Sequence, residues 1–180
     1  MKIGLVRHFK VIHILDRKWV TSDQFNAWVE AYNNAEIEQS DLDYDYSEWN
    51  VCISCDLPRA IQTAETIYPG PIIATNRLRE IEVQSIHPLG NLKLHYYMWL
   101  MMGRLAWYLS HRSQAERRSE TRKRAGHIID WIEEHYRDRN VLVVSHGAFM
   151  KVLTQELHNR GYRGKGFVQP RNGAMYIFEK

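Results

Sequence analysis

Residues 2–8 read KIGLVRH, and a stretch of the same kind returns at residues 141–147 as VLVVSHG. In each, a short apolar run is followed within two residues by a histidine, and such runs are typical of strands buried inside a parallel sheet. Because the carboxyl ends of parallel strands meet at one edge of a sheet, His8 and His146 are expected to lie there together. These two stretches therefore predict both a fold class and the place of a functional site.

Three further runs have the same character, at residues 51–54, 72–75 and 174–178. Helical patterns lie between the runs: they begin at a Thr21/Gln24 capping pair, at Pro58 and after Asn91, and they cover residues 119–136 and 148–159. Strand and helix thus alternate along most of the chain. We predict an α/β fold, a three-layer αβα sandwich with a mostly parallel central sheet. A chain of 180 residues is expected to form one domain over residues 1–180, with a helical insertion around residues 85–112.

The composition indicates a globular protein that stays in the cytoplasm. Hydrophobic residues make up 44% of the chain and charged residues 25%, and no apolar run approaches the length of a membrane span. The first apolar run ends at Arg7, too early for an export signal. A net charge of +3 suits an anionic substrate without requiring nucleic acid. Cys52 and Cys55 are expected to be reduced thiols rather than a zinc or redox pair, because a strand places them on opposite faces.

An arginine beside a histidine at the end of a strand suits phosphoryl transfer. With a pKa of about 6.5, an imidazole is largely unprotonated at neutral pH and can attack phosphorus, while a guanidinium neutralises the phosphoryl oxygens. Arg7 and His8 follow the first predicted strand, Cys55 and Asp56 the second, and His146 the fourth. These segments are therefore expected to converge at one edge, where two arginines and a second imidazole can bind the phosphoryl oxygens without a metal ion.

Four segments, in this order along the chain, resemble the histidine phosphatase superfamily, also called the phosphoglycerate mutase-like fold. They are Arg7-His8, Ser54 to Ala64, Arg77 to Glu82, and Val144 to Gly147, followed by Asn172-Gly173 at the terminal strand. The resemblance covers most of the chain.

The resemblance implies that His8 is the nucleophile and becomes transiently phosphorylated. The implied phosphate pocket consists of Arg7, Arg59 and His146. Glu80 is implied to shuttle the proton, first as the acid that protonates the leaving alkoxide and then as the base that activates water. The resemblance implies no cofactor and no metal ion.

Phe9 and Gly147 complete the predicted substrate-binding residues. The family usually has glycine directly after the Arg-His pair, so at Phe9 the loop either takes an ordinary backbone conformation or stores strain. The Phe9 ring is expected to form an apolar wall of the pocket. Ile14 stands where mutases carry an asparagine, and Cys55 where a serine is common. These changes remove polar contacts and predict a diverged substrate pocket.

The segment at residues 85–112 contains five aromatic residues, Tyr96, Tyr97, Trp99, Trp107 and Tyr108. They either cover an apolar or aromatic leaving group or pack into the core, and their helical spacing favours the core. The basic stretch from Arg112 to Arg124 favours a solvated helix face over a surface that steers anionic substrates. The acidic residues Asp41, Asp43 and Asp45 begin like a calcium-binding loop, but the later positions of that loop lack the required glycine and glutamate. The histidines outside the four segments lack metal-ligand spacing.

Three phosphate-related functions are compatible with the sequence, and RNA or DNA binding through the basic stretch is a fourth, weaker possibility. The favoured one is a metal-independent phosphatase that hydrolyses phosphomonoesters through a phosphohistidine, because the insertion is too short for the long lid of a mutase. A phosphomutase would use the same covalent step, and a non-catalytic phosphoryl-binding module would have attack blocked by Phe9. The expected partner is a small phosphorylated substrate, with a phosphoprotein as the alternative. Nucleic acid and membranes are not expected partners, and the oligomeric state is open.

Overall fold

A computed structural model describes residues 1–12, 17–38, 46–86 and 92–180. In chain order, the strands within these ranges are β1 (Lys2–Arg7), β2 (Trp19–Val20), β3 (Val51–Cys55), β4 (Ile72–Thr75), β5 (Leu94–His95), β6 (Val141–Ser145), β7 (Arg163–Gly164) and β8 (Met175–Glu179). The α-helices are α1 (Ser22–Asn33), α2 (Pro58–Ile67), α3 (Tyr96–Tyr108), α4 (Arg118–His135) and α5 (Gly147–Asn159). A 3₁₀ turn covers Asn76–Leu78.

Six strands form the main sheet, in the order β4-β3-β6-β1-β8-β7. The first four are parallel to one another, and β8 and β7 are added in antiparallel pairings. Every residue of β3 and β6 is buried, which explains why their sequences are continuous apolar runs rather than alternating ones. The predicted α/β fold with a mostly parallel sheet is confirmed.

Three short strands were not predicted from the sequence. β2 and β5 pair with each other in a separate antiparallel sheet, and β7 adds to the edge of the main sheet. Each of these strands has only two residues, too few to show the alternating or continuous apolar pattern by which a strand is recognised in a sequence.

The helix starts follow their local sequence signals. The Thr21 hydroxyl accepts a hydrogen bond from the Gln24 N–H at 3.4 Å, and the Gln24 side-chain oxygen accepts one from the Thr21 N–H at 3.0 Å, so the predicted capping box is confirmed. Pro58 is the first residue of α2, where its missing N–H costs nothing. The helix predicted after Asn91 begins at Tyr96, and Asn91 itself lies outside the described residues.

The buried apolar side chains form two clusters. The larger one lies on the main sheet, where α2 packs across β3, β4 and β6 and where α4 packs on α5. The smaller one consists of Val20, Phe25, Val83 and Trp99 and joins α1 to α3. The Trp99 indole donates a hydrogen bond to the Val20 carbonyl at 2.9 Å, so the alternative that placed this aromatic residue in the core is the one observed. Among the described helices, none combines the length and the apolar character needed to cross a bilayer.

Candidate active site

The two strand-end histidines meet at the carboxyl edge of the main sheet. β1 and β6 are adjacent and parallel, with Arg7 opposite Ser145, so the two strands end at the same level of the sheet edge. The His8 N–H then donates a hydrogen bond to the Ser145 carbonyl at 3.0 Å. The ring centroids of His8 and His146 are 5.0 Å apart. The structure thus brings together the histidines that the sequence placed at this edge.

Two arginines complete the same corner. The Arg7 guanidinium packs on Gly147, where a Cβ atom would lie 3.3 Å from Arg7 Nε, and it donates to the Pro170 carbonyl at 2.9 Å. Arg59, the second residue of α2, is buried and donates to the Asn33 carbonyl at 3.0 Å. Glycine at the start of α5 therefore gives Arg7 the room to approach the histidines.

These side chains line a cavity of about 530 Å³. Its lining includes Arg7 and the buried side chains of His8, Arg59 and His146, and we call the part of the cavity that these four residues form its inner end. Glu80 also lines the cavity. All five predicted catalytic residues therefore contact one cavity, a size typical of small-molecule sites.

The hydrogen bonding of His8 determines which ring nitrogen is available. Nδ1 lies 2.6 Å from the Phe9 carbonyl oxygen, and because a carbonyl only accepts, Nδ1 carries the proton. In the neutral ring Nε2 then holds a lone pair. Burial, followed by the nearby His146 and Arg59, lowers the pKa of His8 well below its ordinary value. The uncharged, nucleophilic form of the ring is therefore favoured.

The surroundings of His146 also disfavour a protonated ring. Its side chain is fully buried, and burial, Arg59, Arg7 and Arg124 all lower its pKa well below the ordinary value. Among the described residues, neither of its ring nitrogens has a hydrogen-bond partner, and the same is true of the Nε atoms of Arg7 and Arg59. Buried polar groups without partners are costly in a folded protein, so four such atoms in one corner indicate a site built to receive an acceptor-rich ligand.

Glu80 is held at the cavity wall by the start of α5. Its carboxylate oxygens accept hydrogen bonds from the backbone N–H groups of Phe149 at 2.9 Å, Ala148 at 3.1 Å and Ile81 at 2.9 Å. Arg104 Nη2 lies 3.7 Å from the same carboxylate. Glu80 therefore satisfies helix N–H groups that would otherwise lack acceptors, a second task that the sequence did not reveal.

Phe9 does not form the expected wall of the pocket. Its ring is 1% exposed and belongs to the larger apolar cluster, and it is not among the cavity-lining residues. The Phe9 N–H donates to Thr63 Oγ1 at 2.8 Å, and its carbonyl accepts from His8. Phe9 is also not among the residues with positive φ, so of the two backbone alternatives the ordinary conformation is the one observed. Its contribution to the site is the carbonyl that orients His8.

The segment before β8 donates hydrogen bonds to the backbone of Arg7 and His8. Asn172 Nδ2 donates to the His8 carbonyl at 2.8 Å, and the Gly173 N–H donates to the Arg7 carbonyl at 2.8 Å. Gly173 has a φ of +73°, a conformation that favours glycine. The Asn172-Gly173 turn therefore fixes the backbone that carries both residues.

Several cavity-lining residues were not predicted as part of the site. Trp28 and Tyr32 come from α1, Leu100 and Arg104 from α3, and Gln169 from the segment before β8. Trp28 and Tyr32 follow the helical apolar spacing of α1, which is equally compatible with a core position. Their exposure to the cavity depends on how α1 and α3 pack, for which the sequence contains no local signal.

The basic stretch is only partly a solvated helix face. Arg124 pairs with Glu116 at 2.7 Å, lies over the Phe149 ring at 3.9 Å and donates to the Arg77 and Arg79 carbonyls. It therefore joins α4 to the segment that precedes Glu80. Arg118 lies over the Tyr108 ring at 4.2 Å on the surface.

The two cysteines are buried and unbridged. Burial raises the pKa of each thiol to about 12, so neither favours the reactive thiolate. Within residues 1–12, 17–38, 46–86 and 92–180, no three histidine, cysteine or acidic side chains are grouped in a way that could hold a metal ion. Ile14, His13, His87 and the acidic residues 41–45 lie outside the described residues.

Comparison with known proteins identifies a family and a shared fold. The family model described as histidine phosphatase superfamily (branch 1) matches residues 44–179. YhfR from Bacillus stearothermophilus has a TM-score of 0.65 and 20% identity, covering 99% of this chain and 90% of that one. No curated protein matches the chain at a significant level.

Two other solved structures in this group are enzymes with stated activities. A phosphoserine phosphatase from Entamoeba histolytica has a TM-score of 0.59 and 15% identity, covering 99% of this chain and 90% of that one. A mycobacterial glucosyl-3-phosphoglycerate phosphatase has a TM-score of 0.57 and 16% identity, covering 98% and 88%. At these identities the likeness establishes the shared fold.

Proposed function

The chain belongs to the histidine phosphatase superfamily, and from this premise we propose that it hydrolyses phosphomonoesters through a phosphohistidine on His8, without a metal ion. The observation that carries the proposal is the group of buried donors at the inner end of the cavity. Arg7 Nε, Arg59 Nε and His146 have no hydrogen-bond partner among the described residues, and they surround the ring whose Nε2 lone pair is free to attack. A phosphoryl group supplies the acceptor oxygens that these donors need.

The first half-reaction transfers the phosphoryl group to the protein. His8 Nε2 forms a bond to phosphorus as the ester P–O bond breaks, and the departing oxygen takes a proton from Glu80. The two guanidinium groups hold the equatorial oxygens, where transition-state charge concentrates. The Phe9 carbonyl, 2.6 Å from Nδ1, stabilises the positive charge that the phosphorylated ring acquires.

The second half-reaction releases phosphate. Water attacks phosphorus and gives a proton to Glu80, the N–P bond breaks, and His8 returns to its neutral form with inorganic phosphate as product. For its proton-transfer role, Glu80 must exchange hydrogen bonds from α5 for a bond to the substrate oxygen or water. Its place on the cavity wall supports this role.

The test is substitution of His8 by alanine, with phosphate release and acid-labile labelling by a radioactive phosphomonoester as the two measurements. We expect both to be lost, and we expect a chelator to leave the wild-type rate unchanged. His111→Ala, at an exposed histidine outside the cavity, is the matched control and should retain both signals.

Each competing function has its own result in this experiment. Labelling and transfer to a second alcohol without phosphate release would assign the mutase reaction instead. Phosphate binding with neither labelling nor turnover would assign a binding module. Turnover that persists in His8→Ala would eliminate the phosphohistidine mechanism.

A further inference from the structure

The outer half of the cavity has a different character from the phosphate end. A run of aromatic rings extends outward from Arg59: its guanidinium carbon lies 5.3 Å from the Tyr32 ring centroid, and Tyr32 and Trp28 centroids are 5.7 Å apart. Trp28 and Tyr96 centroids are 5.7 Å apart, and those of Tyr96 and Tyr97 are 4.1 Å apart. We call these four rings the aromatic wall. It connects the phosphate-binding arginine to the mouth of the cavity.

The aromatic wall is assembled from two helices that the smaller apolar cluster holds together. Tyr32 and Trp28 are on α1, and Tyr96 and Tyr97 begin α3. A hydrogen bond with Tyr97 raises the pKa of Tyr96 to about 12, so the Tyr96 hydroxyl stays neutral at physiological pH. The wall therefore presents uncharged ring surfaces to whatever extends from the phosphoryl group.

The two arginines of the outer cavity, Arg79 and Arg104, already lie beside carboxylates. Arg79 makes a two-pronged ion pair with Asp56, at 2.8 and 2.7 Å. Arg104 donates to the Ile81 carbonyl at 3.0 Å and lies 3.7 Å from Glu80.

Glu82 adds another negative charge to the lining. Among the described lining residues, the cations other than Arg7 and Arg59 are thus balanced or outweighed by carboxylates. Even with Glu80 protonated, as its proposed acid role requires, Asp56 and Glu82 match Arg79 and Arg104 in charge, so a carboxylate on the substrate would meet no net positive charge there.

We propose that the substrate is a phosphate monoester of an uncharged alcohol bearing an aromatic ring, which stacks against the aromatic wall while its phosphoryl group occupies the arginine and histidine corner. This inference rests on the proposed phosphatase function, and it goes further by excluding small hydroxy-acid phosphates as preferred substrates. Stacking on tyrosine and tryptophan gives a ring a favourable interaction that a polar alkyl group lacks.

The test compares phenethyl phosphate with glycerol phosphate and phosphoserine. All three esters release an alkyl alcohol, so differences in rate report binding of the leaving group rather than its intrinsic reactivity. We expect kcat/KM of the wild-type protein to favour phenethyl phosphate by roughly tenfold or more. Equal or faster hydrolysis of glycerol phosphate or phosphoserine would overturn the inference and leave the phosphatase function intact.

Two substitutions test whether the aromatic wall causes the preference for phenethyl phosphate. Tyr97→Ala removes a ring that is 63% exposed, so folding should not be affected, and Trp28→Leu keeps apolar bulk while removing the indole. Both should lower kcat/KM for phenethyl phosphate several-fold and change that for glycerol phosphate little. Tyr108→Ala, at the other end of α3 and outside the cavity lining, is the matched control and should change neither value. A preference that survives both wall substitutions would also overturn the inference.

If the wild-type protein hydrolyses none of the esters, the proposed phosphatase function fails. The binding affinities of the esters then test whether the cavity prefers an aromatic ligand. Tighter binding of phenethyl phosphate than of glycerol phosphate, measured by calorimetry and lost in Tyr97→Ala, would support an aromatic ligand. Equal affinities would contradict it.

Discussion

His8 carries its proton on the nitrogen that faces the Phe9 carbonyl, and this one contact fixes how the residue can react. A histidine with the opposite tautomer would present a protonated nitrogen to phosphorus and could not attack. The carbonyl that sets the tautomer belongs to a residue whose side chain packs in the core. At the residue scale, then, Phe9 serves the site through its backbone, and its ring anchors that backbone.

The buried histidines should make stability depend on pH. The pKa values of His8 and His146 are lowered in the folded protein, so below about pH 6.5 the unfolded chain binds protons that the folded chain resists. The stabilising contribution is therefore present above that pH, and the free energy of unfolding should fall as the pH decreases further. Urea unfolding at several pH values between about pH 5 and about pH 8, without phosphate, measures this dependence of the free energy of unfolding on pH.

The His8→Asn/His146→Asn double variant is the comparison for that measurement. Its free energy of unfolding should decline less steeply below about pH 6.5, because two of the groups responsible are gone. Parallel curves for the wild type and the double variant would show that other groups cause the acid sensitivity.

Substitution of Glu80 by glutamine tests its proton-transfer role with little change in shape. Glutamine keeps an oxygen that can accept from the α5 N–H groups but has no acidic proton. We expect kcat/KM for an alkyl phosphate to fall by about 10²–10⁴. For para-nitrophenyl phosphate it should change little, since nitrophenolate leaves without protonation. Equal losses for both esters would assign Glu80 a purely structural role.

At the scale of elements, the site depends on the position of the start of α5 and on how α1 packs on α3. The start of α5 lies over Glu80, and α1 and α3 form the outer wall through their contacts with Val83 and Trp99. α3 approaches residues 83–84 closely because Gly103 has no side chain. A Cβ atom at this position would collide with the Val83 side chain and lie 3.1 Å from the Gln84 carbonyl.

The same substitution should therefore have opposite effects in two helices. Gly103→Ala should destabilise the protein by about 1–3 kcal/mol through overpacking. Gly126→Ala in α4, where a Cβ atom would meet its neighbours at an ordinary 3.7 Å, should stabilise it by about 0.5–1 kcal/mol through helix propensity. Urea unfolding of both variants measures the change in the free energy of unfolding and its sign. Stabilisation by Gly103→Ala would mean that α3 does not pack on Val83 as described.

At the scale of the whole molecule, we expect the proposed phosphate site to reduce the stability of the unliganded protein. Arg59 is 1% exposed, and burial, its largest influence, lowers its pKa, with Arg7 close by as a like charge. Such a charge costs desolvation energy that a phosphoryl group would offset. Arg160 is the opposite case: it is ion-paired with Asp130, Glu133 and Glu156 at 2.6–2.8 Å.

The two arginines should consequently respond differently to replacement by methionine. Arg59→Met should leave the melting temperature of the unliganded protein unchanged or raise it, and should abolish stabilisation by phosphate. For the wild type, that stabilisation is about 2.7 kcal/mol at a phosphate concentration about one hundred times Kd. Arg160→Met should lower the melting temperature while retaining the phosphate response. Thermal unfolding with and without phosphate measures both, and an intact phosphate response in Arg59→Met would exclude Arg59 from the anion site.

The sequence by itself determined the features that depend on neighbouring residues. Continuous apolar runs specified the long strands, Thr21 with Gln24 and Pro58 specified helix starts, and the order of strands and helices specified a parallel sheet. Since parallel strands end at one edge, the meeting of His8 and His146 also followed from local pattern and topology.

Only the tertiary structure decided the features that join residues far apart in the chain. The Glu80 carboxylate accepts a hydrogen bond from the N–H of Phe149, a residue 69 positions away. The Phe9 ring enters the core and not the cavity, and Trp28 meets Tyr96 across two helices. Such contacts depend on packing geometry rather than local propensity: the same apolar helical spacing suits a core residue and a cavity wall. The meeting of the two histidines at one edge of the sheet was therefore predictable from the sequence, and the shape of the outer part of the cavity was not.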